Sequence, residues 1–182
     1  MKKGPSGQLV TPFAITVMVL CVAIGIALWL AYLPWRWERT KEELRQRFPD
    51  VRRIDADDLK KWMAKSKEQQ PVLIDVRPRA EFEFSHVPGA RHMALSETPA
   101  SLGIPETTNE SLIVYDAAGR DSFAVAANLV RRGYARVQAL EGGIFDWANR
   151  GEPLEGSGGP ANQVLAGKSE FAPLLRHRAR AD

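Results

Sequence analysis

Residues 71–95 read PVLIDVRPRAEFEFSHVPGARHMAL. The run Val72-Leu73-Ile74 is apolar without alternation and stops at Asp75. Two later segments repeat the design: Leu112-Ile113-Val114-Tyr115 before Asp116, and Val137-Gln138-Ala139-Leu140 before Glu141. A strand with one wet face alternates apolar and polar residues, whereas short continuous runs suit strands covered on both faces, as in a parallel sheet. Between the second and third runs, SFAVAANLVRRGY carries one apolar helical face, with Gly133 in the position just past the helix end. A further short helix, IFDWANRG, ends at Gly151. Upstream, in RRIDADDLKKWMAK, Asp55 is placed as an N-cap, Asp57 and Asp58 favour the first turn, and Leu59, Trp62 and Met63 form an i, i+3, i+4 face. Strands alternating with helices predict an α/β fold, a parallel sheet flanked by helices.

Working toward the N-terminus, residues 13–33 read FAITVMVLCVAIGIALWLAYL, 21 residues without a charge. At about 1.5 Å per residue such a helix spans roughly 30 Å, the thickness of a bilayer's hydrocarbon core. Trp29, Tyr32, Trp35 and Trp37 gather at its C-terminal end, where amphipathic rings favour the interface, and Pro12 and Pro34 bracket it. A cleaved signal peptide is the alternative, with Lys2 and Lys3 as its basic start and Gly25 and Ala27 near a cleavage site. The apolar run continues past that point to Leu33, which favours a single-pass anchor. Two lysines precede the span and seven basic residues follow it through Arg53, so the positive-inside tendency puts the C-terminal side in the cytoplasm and the N-terminus outside.

The expected organisation is a short N-terminal segment (1–12), a transmembrane helix (13–33), a juxtamembrane helix or stalk (34–50), a folded domain (51–154) and a flexible C-terminal tail (155–182). In the stalk, Glu42 and Glu43 stand at helical spacing from Arg45, Gln46 and Arg47. The tail begins in Gly, Ser and Pro, although Phe171, Leu174 and Leu175 followed by Arg176, Arg178 and Arg180 suit a small docking element. The chain of 182 residues is 45% hydrophobic and 26% charged, with a net charge of +3. Its basic residues flank the apolar segment and end the chain, and no basic stripe interleaves with aromatics, so nucleic acid is not an expected partner. The bilayer is, together with a membrane or membrane-proximal protein. Cys21 is the one cysteine and lies in the apolar segment, which excludes an intrachain disulfide and a soluble thiol nucleophile. His86, His92 and His177 show no metal-ligand spacing, so neither a metal nor another cofactor is expected.

Several of these residues resemble, in order, the motifs of a rhodanese domain. In the first half the match is carried by Asp75, Val76, Arg77, Glu81, Phe82 and the element His86-Val87-Pro88-Gly89-Ala90. In the second, VYDAAGRDSFAVAANLVRRGYARVQALEGGIFDWANRGEPL resembles the family's active-site strand, loop and helix, then its Gly-Tyr, Val, Leu-x-Gly-Gly and Trp positions at Gly133, Tyr134, Val137, Leu140, Gly142, Gly143 and Trp147. The resemblance covers roughly residues 51–154 and implies a rhodanese-like sheet. It also implies that a cysteine should end the central strand, its thiolate ringed by backbone N–H groups beside a helix N-terminus. Here the loop is Asp116-Ala117-Ala118-Gly119-Arg120-Asp121, followed by Ser122, so the cysteine position is Asp116. Asp121 stands where many members place an arginine, and Arg120 is the nearest cation.

Persulfide chemistry needs a polarizable sulfur that attacks sulfane sulfur and then leaves, which a carboxylate oxygen cannot do. No catalytic residue is therefore expected, and the chain is read as not an enzyme. The N–H ring should hydrogen-bond the Asp116 anion and depress its pKa, plugging the site. An acidic loop that binds a cationic partner group is a second reading, and Asp116 as a phosphoryl acceptor a third. The leading functional expectation is a membrane-tethered, catalytically inactive module acting in protein interaction or regulation. The competing expectation is a sulfurtransferase-related enzyme component that binds a small anion or sulfur species and relies on a partner's cysteine. His86 is read as bracing a turn, Gly142-Gly143 as a structural turn, and Trp62 and Trp147 as core aromatics.

Overall fold

A computed structural model describes residues 12–181. Lys2, Lys3 and the rest of the expected N-terminal segment before Pro12 lie outside the described residues, as does Asp182. The chain begins with helix α1, Pro12–Arg47. Strand β1 (Arg52–Ile54) and helix α2 (Ala56–Met63) lead to β2 (Val72–Asp75), α3 (Arg79–Phe84) and β3 (Arg91–His92). Then come β4 (Leu112–Tyr115), α4 (Arg120–Arg131), β5 (Val137–Leu140) and α5 (Gly143–Asn149). Four short strands close the chain: β6 (Leu154–Gly156), β7 (Gly159–Ala161), β8 (Val164–Leu165) and β9 (Arg180–Ala181).

The five-stranded sheet has the order β1-β5-β4-β2-β3, with every pairing parallel. The three apolar runs read from sequence are its three inner strands. In β4 every residue is buried, and the faces divide by alternation. Leu73, Ile113, Tyr115 and Leu140 pack on one side with Leu59 of α2 and Phe145 and Trp147 of α5. Ile74, Leu112, Val114 and Ala139 pack on the other with Phe123 and Leu129 of α4. Two layers of helix thus cover one sheet, the arrangement that continuous apolar strands demand. The edge strands β1 and β3 escape the sequence reading because each has two or three residues and little burial.

Local signals behave as their chemistry requires. Asp55 caps α2, its Oδ1 accepting the Asp58 N–H at 2.8 Å. Gly133 follows α4 at φ +103°, a left-handed position open to glycine at no steric cost. Trp147 is buried and donates its indole N–H to the Pro153 carbonyl, whereas Trp62 is only half-buried.

Two expectations need correction. The span and the stalk are one helix that runs through Pro34 rather than leaving the apolar segment there. Proline removes one backbone hydrogen bond. The stretch beyond it offsets that loss with Lys41–Glu38, Arg39–Glu43 and Arg45–Glu42 pairs, and with Trp37, Leu44 and Phe48 packed on the domain. Residues 13–33 make this the one described helix long and apolar enough to cross a membrane, with a mean hydropathy of 2.7 in its most apolar window. Secondly, the segment after Leu154 is not a flexible tail. It forms the β6–β7 hairpin and the parallel β8–β9 pair, and it buries Val164, Ala166, Phe171, Leu175 and Ala179 in the same cluster as Trp147. Long-range burial overrides the local Gly/Ser/Pro signal, since fully covering a large apolar side chain is worth roughly 1.5–3 kcal/mol.

Candidate functional site

The centre of the site is the end of β4, where three turns meet. Backbone at residues 116–119 leads to α4, whose first turn already contains Arg120 and Asp121; Gly119, at φ +95°, is its N-cap. The expected loop is therefore shorter than read from sequence, with Ser122 buried inside the helix. Asp116 is buried and turned into its own loop. Its Oδ1 accepts the Gly119 N–H at 2.6 Å and the Ser122 hydroxyl at 3.0 Å, and its Oδ2 accepts the Asp121 N–H at 3.0 Å.

These donors do not depress the carboxyl's pKa as expected. Burial pushes Asp116 above the ordinary carboxylate range, the neighbouring Asp121 charge adds to the push, and the Asp121, Ser122 and Gly119 donors offset only part of it. Desolvation wins because the carboxyl is turned inward from the cleft, leaving the residue only 6% exposed.

The Gly142-Gly143 turn holds the loop from beneath. Ile144 and Phe145, at the start of α5, donate their N–H groups to the Asp116 and Ala117 carbonyls at 3.0 and 3.1 Å. Gly143 has φ +59°, and a Cβ there would lie 2.4 Å from the Asp116 carbonyl oxygen. The glycine pair is accounted for by this close approach rather than by a phosphate.

Beside the loop, Arg77 and Asp75 form a buried fork: Nη2 donates to Oδ2 at 2.8 Å, Nε to both carboxylate oxygens at 3.1 Å, and Nη2 also to the Ser85 carbonyl. Arg77 Nη1 has no hydrogen-bond partner and stands 3.8 Å from Glu81 Oε2. Burial raises the Glu81 pKa, with the Arg77 charge opposing. His86 braces its turn, stacking on Phe82 at 4.0 Å and donating from Nδ1 to the Phe82 carbonyl at 2.8 Å. His92 donates from Nε2 to the Arg77 carbonyl. No group of metal-ligating side chains occurs among the described residues.

An open cleft of about 1140 Å³ lies over the loop, walled by Arg77, His92, Leu95, Asp116, Arg120 and Lys168 among others. The C-terminal segment forms one side, which sequence reasoning missed. Glu170 binds Arg120 from one side and Arg36 of α1 from the other. These partners stand 50 and 134 residues away in sequence, so no local pattern signals them.

A family model described as the rhodanese-like domain matches residues 55–150. The chain belongs to the rhodanese-like family. The rhodanese-like domain is 30% identical over 105 residues to a sulfurtransferase of Allochromatium vinosum, covering 57% of this chain and 94% of that protein. A thiosulfate sulfurtransferase, GlpE, of Stutzerimonas stutzeri is 32% identical over 76 residues, covering 42% of this chain and 69% of that one. The BH2092 protein of Bacillus halodurans shares the fold, with a TM-score of 0.55 at 19% identity over 76% of this chain and 98% of its own. The rhodanese-like fold thus brings residues 116–122 together at the carboxyl end of the sheet's middle strand.

Proposed function

We propose that the chain is a membrane-tethered rhodanese-like module that does not transfer sulfur and acts through protein interaction or regulation. The observation that carries this reading is the Asp116 carboxylate, which takes the Gly119 and Asp121 N–H groups and the Ser122 hydroxyl for itself. By resemblance Asp116 stands at the family's cysteine position, so the donors that would steady a sulfur anion are already satisfied by oxygen. The domain holds no cysteine, because Cys21 belongs to the apolar part of α1. Arg120, the one loop cation in favour of an anion-binding enzyme component, is paired with Glu170. With α1 across the bilayer, the basic residues after Leu33 favour a cytoplasmic domain.

A thiosulfate:cyanide assay of the purified Cys21→Ser chain tests the loss of sulfur transfer, and the expected outcome is a rate equal to the enzyme-free blank. Turnover above that blank would end the reading. Crosslinking in intact membranes, followed by capture of the full chain, checks the interaction half: a discrete adduct is expected, and an adduct-free chain counts against it.

A further inference from the structure

A second cavity, of roughly 550 Å³, lies between the charged half of α1 and the start of α4. Its α1 wall carries Tyr32, Trp35, Arg36, Arg39 and Arg47, and Arg120 of α4 faces them. Glu43, Asp121 and Glu170 are the acids on its surface, so four arginines face three carboxylates. Those carboxylates neutralise the arginines unevenly. Arg36 and Arg120 share the single Glu170. Arg39 reaches Glu43 at 3.3 Å, but both side chains are about two-thirds exposed, and its guanidinium also covers the Trp35 ring at 5.5 Å. Arg47 lies over the Phe48 ring at 5.4 Å and has no acidic partner among the described residues.

The cavity's depth identifies what meets it. The uncharged stretch ends at Leu33. At about 1.5 Å per residue Arg36, Arg39 and Arg47 stand roughly 4.5, 9 and 21 Å beyond it along α1, and helical side chains lean back toward the N-terminus, which brings Arg39 but not Arg47 within reach of the headgroups. The headgroup layer on each side of a bilayer is about 5–8 Å thick. Tyr32 and Trp35, 49% and 56% exposed, carry the amphipathic rings that settle in that layer. The mouth of the cavity therefore opens among lipid headgroups, where arginine forks meet phosphate oxygens in two-point hydrogen bonds.

We propose that the membrane-side end of this cavity binds the phosphate headgroup of an anionic lipid, with Arg36 and Arg39 as its ligands and Glu170 as an internal competitor, while Arg47 lies beyond the headgroup layer. A zwitterionic headgroup carries its own cation against the same arginines and fits less well. This site is separate from the loop at Asp116, and it rests on the membrane-tethered reading only in requiring that α1 be inserted.

The test uses the full chain reconstituted in nanodiscs of phosphatidylcholine alone or with added phosphatidylglycerol, and compares unfolding midpoints. A higher midpoint in the anionic discs is expected. Arg39→Gln should raise the phosphatidylglycerol fraction needed for half of that rise by about fivefold, whereas Arg47→Gln, beyond the headgroups, should change it by less than about twofold. Neither arginine touches Glu170, so the domain's own contacts stay intact. Glu170→Gln frees two arginines and should lower that fraction. Equal midpoints in both discs, a rise that Arg39→Gln retains in full, or an equal loss in Arg39→Gln and Arg47→Gln would overturn the proposal. A full rise on adding inorganic phosphate to phosphatidylcholine discs would also overturn it, in favour of a free-anion site. A chain that enters neither disc refutes the tether itself, an outcome distinct from incorporation without lipid preference.

Discussion

At the scale of single residues, Asp116 illustrates how one carboxylate both satisfies and strains its surroundings. It completes three hydrogen bonds that nothing else in the loop accepts, yet burial raises its pKa. Asp116→Ala leaves two N–H groups and a buried hydroxyl without their acceptor. The expected cost is about 1–3 kcal/mol, read by denaturant unfolding. The pH dependence has a definite sign. A carboxyl whose pKa is higher folded than unfolded binds its proton more readily in the native state, so its contribution is fully present below the unfolded value and lost as pH rises through the folded one. Asp116→Asn removes that titration. Between about pH 7 and about pH 4 the wild-type midpoint should therefore gain on the Asn variant's as the solution is acidified. The reverse trend would mean that the donors, not burial, govern the group.

Among elements, the junction of β4, α4 and α5 positions the candidate site, and its tolerance is set by backbone rather than side chains. Gly143 meets two requirements together, a positive φ and a carbonyl where a Cβ would stand. Gly143→Ala should cost at least about 3 kcal/mol, because no rotamer relieves a backbone contact and αL strain adds to it. Thermal unfolding of the variant checks this, and a loss below about 1 kcal/mol would show that the turn can move. Helix α1 shows an element overriding its local signals. Pro34 marks a stop in the sequence, but charge pairs at helical spacing and the packing of Trp37, Leu44 and Phe48 carry the helix on to Arg47.

For the molecule as a whole, the C-terminal segment joins what the sequence divides into domain and stalk. Phe171 meets Trp37 of α1 edge-on at 4.9 Å, and Arg45 of α1 reaches Glu141 at 2.7 Å on the turn before α5. The domain is thus docked on α1 at several points instead of hanging from a linker. Phe171→Ala should cost about 3–5 kcal/mol, the usual price of emptying a fully buried aromatic site. Unfolding of the full chain in mild detergent measures it. An unaffected midpoint would restore the picture of a loose tail.

The sequence by itself determined the parallel sheet, the apolar helix and the chemistry available at position 116. Those properties follow from short-range patterns: unbroken apolar runs, a charge-free stretch of bilayer length, and the identity of one side chain. Gly133 and Asp55 were equally legible, because a helix end is a local event. Only the tertiary structure decided the edge strands, the packing of residues 154–181 and the path of Glu170 between two arginines. It also reversed the direction of the Asp116 pKa shift. Each of these depends on atoms far apart in the chain. Burial is the sum of what the whole fold brings near, and no window of sequence contains that sum.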